Sequence, residues 1–594
     1  MKRFLAQAGN IAYLVKPYWK YGKAYSIISF FVAAIISPLD SIAGVLFTQS
    51  VIDAVAAGAT FGGVIAIIVR FLLVLLFTLI IRNAYDVLYS GYKLPDIQQK
   101  INLEIYHKVL KTDYKYFDNP EFFDDYTWAI NEYAAKSAEA YNLIMRMLQS
   151  ISTIISMVSI IVILGPGLIA ITIIEMAVTI FFETRRNKLN IKKQEEILPL
   201  DRRLGYTNRV FYQKEYAADI KVTNVRRYLL ALYDESGKKK LETIKKYSTK
   251  LLAWLYAQNF IAIAYNAAIM AYISYGMIVS KRIVGVGKFM GLITANSQLV
   301  TSLYGFFGFV SQANNLNLYA AKIKVFFDVE SKIENQTNGI ADIPAEPFEV
   351  RIENLSYAYE NSNFGLHNIN LLVKPGDKIA IVGENGAGKT TLVKLLLHLY
   401  QPETGNIFYN SHPIEDYNVA ELRSKIGTAF QAANVYALSL AENLRIYKDM
   451  TKENLDEIVN KLELTKVLSK SKGSLDTELT REFNQNGIIL SAGETQKISI
   501  GRIMSREFGL LILDEPSSTL DPLTEYNLTS LLYNEANKTT TILIAHRLSM
   551  VREADCIYVM NNGTICESGC HDELMEKKGL YYEMFVKQSE KYSK

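Results

Sequence analysis

Two stretches of this chain have the residue types and the spacing of a phosphate-transfer site. Gly383 to Thr390 reads GENGAGKT, in which spaced glycines let backbone N–H groups turn toward phosphate oxygens. Leu510 to Glu515 reads LLILDE, an apolar run that ends in two carboxylates. Such carboxylates can hold a divalent cation and activate a water molecule. Together the two stretches predict phosphoryl transfer to water.

The first stretch lies in the setting that a P-loop requires. An apolar strand (Lys378–Val382) precedes it and an amphipathic helix follows it, so the helix N-terminus adds its positive dipole to the loop amides. Lys389 is expected to reach the β- and γ-phosphates of ATP, and the Thr390 hydroxyl to ligate Mg²⁺. The predicted nucleotide-binding residues of this stretch are Gly383, Asn385, Gly386, Gly388, Lys389, Thr390 and Thr391.

The second stretch supplies the predicted metal and water chemistry. Asp514 is expected to hold Mg²⁺ directly or through water, and Glu515 to orient or deprotonate the attacking water. An exposed acidic turn is the alternative, which the P-loop upstream disfavours. His546 ends the next apolar run, TTILIAH; by itself, a single histidine at a strand end is more often structural than catalytic.

Length and composition restrict the function classes. A chain of 594 residues is expected to form two or three domains. A formal charge of +4 gives nucleic-acid binding no bulk electrostatic support, so no nucleic-acid partner is expected. Cys566 and Cys570, followed by His571, could form a metal site, but a reduced strand-and-turn region is favoured because no second ligand pair lies nearby.

The first half of the chain is predicted to cross a membrane. Six apolar stretches occur before residue 314, most of them near the ~20 residues that a spanning helix needs. They are Ile27–Phe47, Gly63–Ile81, Met147–Leu164, Leu168–Phe182, Leu252–Val279 and Phe289–Ala313. Polar residues interrupt the last one, and the fourth is short. A buried soluble helix could explain any one stretch, but six favour a membrane domain.

The loops between these stretches indicate the orientation. Arg185–Lys193 and Gly237–Lys246 are rich in Lys and Arg, which places them and the N-terminus in the cytoplasm by the positive-inside rule. Lys281, Arg282 and Lys288 are exceptions on a connection predicted to lie outside. We therefore expect an integral protein of the cytoplasmic membrane, without a cleaved signal peptide, whose ATPase domain lies in the cytoplasm.

The two predicted internal loops, 82–146 and 183–251, are long enough for helices that extend ~45 Å below the membrane. We place a membrane domain at 1–330, a polar linker at 331–347 and an ATP-binding domain at 348–594. In the last part, strand-like runs alternate with helical segments, as in an α/β fold. The predicted fold class is an all-α polytopic membrane domain with six transmembrane helices, followed by a C-terminal α/β P-loop NTPase domain.

These motifs, in this order, give the chain a family resemblance. It resembles an exporter-type half-transporter of the ATP-binding cassette (ABC) class over nearly its whole length, and bacterial peptide and multidrug exporters in particular. The resemblance implies that Tyr359 stacks on adenine and that Gln431 senses Mg²⁺ and the γ-phosphate. It also implies that Asp521 communicates across a dimer and that His546 contacts the γ-phosphate. Glu515, His546 and Gln431 are thus the implied catalytic residues, and Thr390, Gln431 and Asp514 the metal-binding ones.

Further implied features concern coupling and the signature motif. Tyr116–Tyr126 and Phe211–Ile220 correspond to cytoplasmic coupling helices. LSAGE, at Leu490–Glu494, stands where the family has L-S-G-G-Q, a motif that contacts the γ-phosphate bound by the opposite cassette. Ser491 and Gly493 are retained and are expected to contact nucleotide. Ala492 restricts the backbone, and Glu494 brings a carboxylate where the family has a neutral amide. These changes could slow hydrolysis but are not expected to abolish it, and whether they slow it stays open.

The resemblance also sets the expected partners. A second half-transporter must complete each ATP site, and a homodimer is favoured over a heterodimer; membrane lipid is the other expected contact. The predicted function is ATP-driven export of an amphipathic or peptide-like substrate by alternating access. Two alternatives stay open. One is half of a heterodimeric lipid or drug exporter with one degenerate ATP site, and the other is an ATP-gated regulator or channel.

Two charged residues, Glu175 and Arg70, lie deep inside long apolar runs of the predicted spans. Glu175 is in the fourth and Arg70 in the second. Charges at such depth usually face a cavity or each other, because burying them in hydrocarbon is costly. Glu175 could bind a cationic cargo, although a structural pair or a solvated position in a wide cavity is the favoured explanation.

Overall fold

The computed structural model describes residues 2–164, 169–278, 285–343, 346–359, 364–470, 474–515, 539–545 and 551–589. The chain divides into two compact units. The first contains Met1–Val109 and Pro120–Val329, and the second contains Leu110–Asn119 and Glu330–Lys594.

The first unit is helical throughout its described residues. The α-helices are α1 (Lys2–Tyr21), α2 (Lys23–Phe31), α3 (Ser37–Ala56), α4 (Phe61–Asn83), α5 (Gly91–Leu110), α6 (Pro120–Leu164), α7 (Ile169–Tyr212), α8 (Ala217–Val222), α9 (Val225–Ile278) and α10 (Val286–Asp328). Short π-helical segments join α2 to α3 and α4 to α5. The long helix α9 has 54 residues, about 80 Å, which far exceeds the ~30 Å of a bilayer core.

Three helical stretches among the described residues are long and apolar enough to cross a membrane: Lys23–Ala56, Phe61–Leu110 and Ala129–Ile163. They contain the first two predicted spans and all of the third except Leu164. The other three predicted spans overlap α7, α9 and α10, whose sequences mix polar residues into the apolar run. Six spans therefore remain a prediction.

Apolar surface is distributed unequally in this unit. Side chains of α3, α6, α9 and α10 form a common core that includes Val45, Met157, Ile269 and Leu299. The helix α4 instead leaves large apolar side chains exposed, and Phe77 is 60% exposed. An exposed apolar surface of this extent is suited to lipid or to another protein surface.

The second unit contains two sheets. The strands are β1 (Val350–Ala358), β2 (Gly365–Val373), β3 (Lys378–Gly383), β4 (Thr404–Tyr409), β5 (His412–Pro413), β6 (Ile426–Ala429), β7 (Leu510–Asp514), β8 (Thr540–Ile544), β9 (Cys556–Asn561) and β10 (Thr564–Gly569). The order β2-β1-β4-β5 forms an antiparallel sheet. The order β10-β9-β3-β8-β7-β6 forms a second sheet, whose strands from β9 to β6 run parallel.

Helices surround these sheets. They are α11 (Lys389–Leu396), α12 (Val419–Ser424), α13 (Leu440–Leu444), α14 (Lys452–Lys461), α15 (Thr465–Lys470), α16 (Ala492–Met504), α17 (His571–Lys577) and α18 (Leu580–Ser589). Alternate residues of the parallel strands face two different hydrophobic cores; Ile512 belongs to one and Leu513 to the other. Burial on both faces explains why these strands are continuously apolar in sequence.

A buried carboxylate, that of Asp113, helps to hold the segment 110–119 in the second unit. Asp113 accepts hydrogen bonds from the backbone N–H groups of Lys332, Ile333 and Glu334 at 2.8, 3.1 and 3.0 Å. Its own N–H donates to Ser331 Oγ at 3.1 Å. Residues 331–347, predicted as a linker, and residues 110–119, predicted within the membrane domain, therefore lie in the second unit.

Candidate nucleotide site

The loop between β3 and α11 has the backbone geometry that its glycines allow. Gly386 and Gly388 have φ angles of +81° and +105°, which side chains with a Cβ rarely adopt. A Cβ on Gly388 would also lie 2.5 Å from Leu366. The Lys389 side chain is 5% exposed, and its Nζ donates to the carbonyl oxygens of Gly383 and Glu384 at 2.8 and 3.0 Å. The ammonium group is thus held inside the loop, where burial lowers its pKa although Glu515 and Asp514 oppose that effect.

The residues at the end of β7 have the donor set that Mg²⁺ prefers. Asp514 is 2% exposed, and its Oδ1 has no hydrogen-bond partner in the described part of the chain. Burial and the adjacent Glu515 raise the pKa of Asp514 to about 6, against the opposing effects of Lys389 and Thr390. An orphaned, buried carboxylate oxygen next to a threonine hydroxyl fits a hard, oxygen-binding divalent cation.

Glu515 follows Asp514 on a strained backbone. Its φ is +49°, in the left-handed region that residues with a side chain rarely adopt, and its N–H donates to Ile544 O at 3.0 Å. Gln431 follows the end of the neighbouring strand β6, and its Nε2 donates to Glu515 Oε2 at 2.9 Å. Parallel pairing of β6 with β7 brings these two predicted catalytic side chains together although 84 residues separate them.

Tyr359 lies beside the P-loop helix. Its hydroxyl forms a 3.1 Å hydrogen bond with the Thr391 hydroxyl, so two predicted nucleotide-binding residues contact each other. Its ring packs near Tyr400 and Phe364, with centroids 5.7 and 6.3 Å away. This environment fixes the position of the ring. Adenine stacking remains a prediction.

The LSAGE segment forms a capping box at the start of α16. Ser491 Oγ accepts from the Glu494 N–H at 3.2 Å, and a Glu494 carboxylate oxygen accepts from the Ser491 N–H at 2.8 Å. The same carboxylate forms an ion pair with Lys470 at 2.7 Å. Partial burial would raise the pKa of Glu494, but Lys470 and the Ser491 N–H together hold it below its usual value.

One substituted residue of this motif, Glu494, has a structural role that the sequence analysis did not predict. Glu494 is expected above to bring a carboxylate where the family has a neutral amide, whereas its charge is paired with Lys470 and used to cap its own helix. The S-x-x-E spacing is typical of a capping box and could have predicted this helix start. Lys470 lies on α15, 24 residues away, and no local pattern indicated it. Ala492 is exposed, and Gly493 is half-buried in the first turn of α16.

Two predicted residues, Asp521 and His546, lie outside the described residues. The cysteines Cys556, Cys566 and Cys570 are free thiols. His571 Nδ1 lies 2.8 Å from the Tyr581 hydroxyl. Within the described ranges there is no group of three or more His, Cys, Asp or Glu residues placed to hold a metal ion.

Comparison with known proteins agrees with this geometry. Residues 366–518 match the family model described as ABC transporter. The chain is 28% identical over 534 residues to the subtilin transport ATP-binding protein SpaT of Bacillus subtilis, which covers 88% of this chain and 84% of that protein. It is 31% identical over 350 residues to the beta-(1→2)glucan export ATP-binding/permease protein NdvA of Agrobacterium vitis, covering 57% and 59% of the two chains.

A solved structure shares the fold. The structure of a bacterial Atm1-family ABC exporter with ATP bound matches with a TM-score of 0.79 at 21% identity, covering 95% of this chain and 98% of the other. The predicted fold class is confirmed: apolar helices in the N-terminal part and an α/β nucleotide-binding domain in the C-terminal part. The predicted resemblance to exporters with fused membrane and ATPase parts is confirmed as well.

Proposed function

We propose that this chain, an integral membrane ATPase of the ABC transporter type, exports an amphipathic or peptide-like molecule across the cytoplasmic membrane by alternating access. The nucleotide half-site described above carries the proposal, because it joins Lys389, Asp514, Glu515 and Gln431 at one edge of a parallel sheet. The similarity to a subtilin transport protein over 88% of this chain supports a peptide-like cargo.

Each side chain of the half-site has a proposed task. Lys389 and the loop amides neutralise the β- and γ-phosphate oxygens of ATP. Glu515 Oε accepts a proton from the attacking water, and Gln431 Nε2, which already donates to this carboxylate, holds it in position. Thr390 and Asp514 would hold Mg²⁺, which when bound offsets phosphate charge. Tyr359 would stack on the adenine ring.

The proposed working unit is a dimer. ABC exporters work as dimers, in which Ser491 and Gly493 of one chain would contact the γ-phosphate held by the other. A homodimer then uses LSAGE in both sites. The ion pair between Glu494 and Lys470 supports this arrangement, because the motif carries no uncompensated negative charge toward ATP. Asp521 and His546 would complete the site.

Aromatic contacts within the second unit support coupling between ATP binding and the helices. The Tyr114 ring contacts Tyr400 at 5.8 Å, and Tyr400 contacts Tyr359 at 5.7 Å. Asp118 accepts a hydrogen bond from the Tyr400 hydroxyl. Residues 110–119 continue directly into α5 and α6, so a shift of the cassette on ATP binding would displace the ends of both helices. ATP can drive such a change only through different affinities for the two states.

Transport into inverted membrane vesicles tests the proposal. Vesicles that contain the chain should accumulate a fluorescent amphipathic peptide of about 20 residues when ATP is added, whereas vesicles with Glu515→Gln should not. Peptide-stimulated ATPase activity without accumulation would contradict export and favour a regulator or channel. Absence of both responses would contradict the proposed cargo class.

A further inference from the structure

A row of buried polar side chains runs along one side of α7, within the first unit. Glu175, Thr179 and Glu183 are spaced four residues apart and therefore share a helix face. They are 6%, 2% and 3% exposed. We call this row, with Gln258 and Tyr265 of α9 and Asn296 and Tyr304 of α10, the polar seam.

The two acids of the polar seam differ in their partners. Glu183 forms an ion pair with Arg186 at 3.1 Å, and Arg186 also donates to Gln258 Oε1 at 3.0 Å. Neither carboxylate oxygen of Glu175 has a hydrogen-bond partner among the residues that the structure describes. Arg70, in the second predicted span, is exposed. Glu175 therefore stands without a counter-charge in this part of the chain.

The surroundings of Glu175 combine a phenol and an amide, both able to donate a hydrogen bond, with an apolar wall. Tyr265 and Asn296 adjoin its carboxyl group. Asn296 is 3% exposed, and its Oδ1 also has no hydrogen-bond partner in the described ranges. Met176, Ile269 and Leu292 belong to the hydrophobic cluster beside them. Unpaired acceptor oxygens next to apolar side chains present negative charge and hydrophobic contact at the same place.

We propose that Glu175 and Asn296 form a binding site for a positively charged group on the transported molecule, an ammonium or another lipophilic cation. The proposal rests on the proposed export function and names the substrate class. A buried carboxylate without a partner is costly, and a bound cation supplies the missing counter-charge. The apolar neighbours would contact the hydrocarbon part of the same molecule.

Binding of tetraphenylphosphonium to the full chain in lipid nanodiscs tests this site. We expect the wild-type chain to bind the cation, with triphenylphosphine oxide as a neutral probe of similar shape that binds equally to wild type and variant. Glu175→Gln keeps the side-chain shape but removes the charge, and should weaken binding of the cation at least tenfold. Glu183→Gln is the matched control on the same helix face, and should retain cation binding because its carboxylate already has a partner.

Thermal unfolding separates this effect from misfolding. Glu175→Gln should unfold at the same temperature as wild type or higher, because an uncompensated buried charge has been removed. Equal affinity of wild type and Glu175→Gln for the cation would overturn the proposal, and would mean that a proton satisfies this carboxyl group. Failure of the wild-type chain to bind the cation would overturn it as well.

The outcome is independent of the transport assay. Cation binding that depends on Glu175, without ATP-driven accumulation in vesicles, would leave the site in place and reject export. Accumulation of a peptide that is equally efficient in Glu175→Gln would keep export and reject the site.

Discussion

The P-loop half-site and the LSAGE segment, which we propose to serve one reaction, are held in different ways. The half-site consists of buried side chains at the ends of parallel strands, and both Lys389 and Asp514 are almost inaccessible. The LSAGE segment lies at an exposed helix start, held by a capping box and one ion pair. In the buried region several neighbours together determine the pKa of each charged group. In the exposed region one lysine on a neighbouring helix balances the charge of Glu494.

This difference explains where the sequence can vary. Replacing Asp514 or Lys389 changes the charge at a buried position, where solvent cannot compensate for the change. A changed charge at Glu494 can be balanced by a lysine on a neighbouring helix, because the site is open enough for that side chain to reach it. We therefore expect large effects from substitutions in the half-site and small ones in LSAGE.

The largest effect is expected from Glu515→Gln. Removing the proton acceptor should reduce ATP turnover by about 10²- to 10⁴-fold while ATP binding persists, so the closed dimer accumulates. Phosphate release and nucleotide retention in the purified chain measure the two properties. Glu507→Gln, at an exposed position nearby, serves as the control. Turnover near the wild-type rate would contradict the assignment of Glu515 as base.

Asp514→Asn tests the buried charge through stability. In the folded protein the pKa of Asp514 is raised to about 6 from its ordinary value of 3.8, so the folded protein binds more protons than the unfolded chain between these two pH values. The Asp514 carboxyl group therefore lowers the free energy of unfolding increasingly as the pH rises from about 4 to about 6. At pH 8 and without nucleotide, the free energy of unfolding of Asp514→Asn should exceed that of wild type by about 1–3 kcal/mol. This difference should vanish near pH 4.

Thermal unfolding across that pH range checks the prediction. The exposed substitution Asp449→Asn is the matched control and should show no such pH-dependent gain. A lower stability of Asp514→Asn at pH 8 would indicate that the carboxylate has a partner that holds it in the charged state.

Lys470→Ala tests whether the ion pair keeps LSAGE competent. Loss of one partly exposed pair is worth about 0.5–1 kcal/mol, so turnover should fall two- to fivefold. Glu494→Gln should change turnover little, because glutamine also completes a capping box. In the double variant the loss should disappear. Equal losses with and without Glu494→Gln would show that Lys470 acts by another route.

The smallest effect is expected from Ala492→Gly, which restores the family residue. Ala492 is exposed at the first position of α16, where glycine costs at most about 1 kcal/mol of helix stability. Turnover should change by less than about threefold. A large gain would mean that the alanine methyl group, and not the charge of residue 494, limits hydrolysis.

Local patterns were sufficient for the elements of the half-site. The apolar runs at Lys378–Gly383 and Leu510–Asp514 are strands, and the glycine spacing at 383–388 predicted the loop between strand and helix. These features depend on periodicity and backbone conformation, which neighbouring residues determine. The same local logic could have found the capping box at Ser491.

Contacts between distant residues could not be predicted in this way. The pairing of Lys470 with Glu494 and the hydrogen bonds from residues 332–334 to Asp113 depend on how helices and loops pack, which no spacing encodes. The depth of Glu175 was readable from the apolar residues around it. That its carboxylate oxygens have no hydrogen-bond partner in the described residues could be seen only from the positions of α9 and α10.

The most direct measurement is the ATPase activity of this chain purified alone in lipid nanodiscs, beside Glu515→Gln. If LSAGE is a competent motif with a neutralised charge, the chain alone should turn over ATP and the variant should not. ATP binding without turnover in the wild-type chain would contradict this account, and would mean that a second chain with a different signature completes the site.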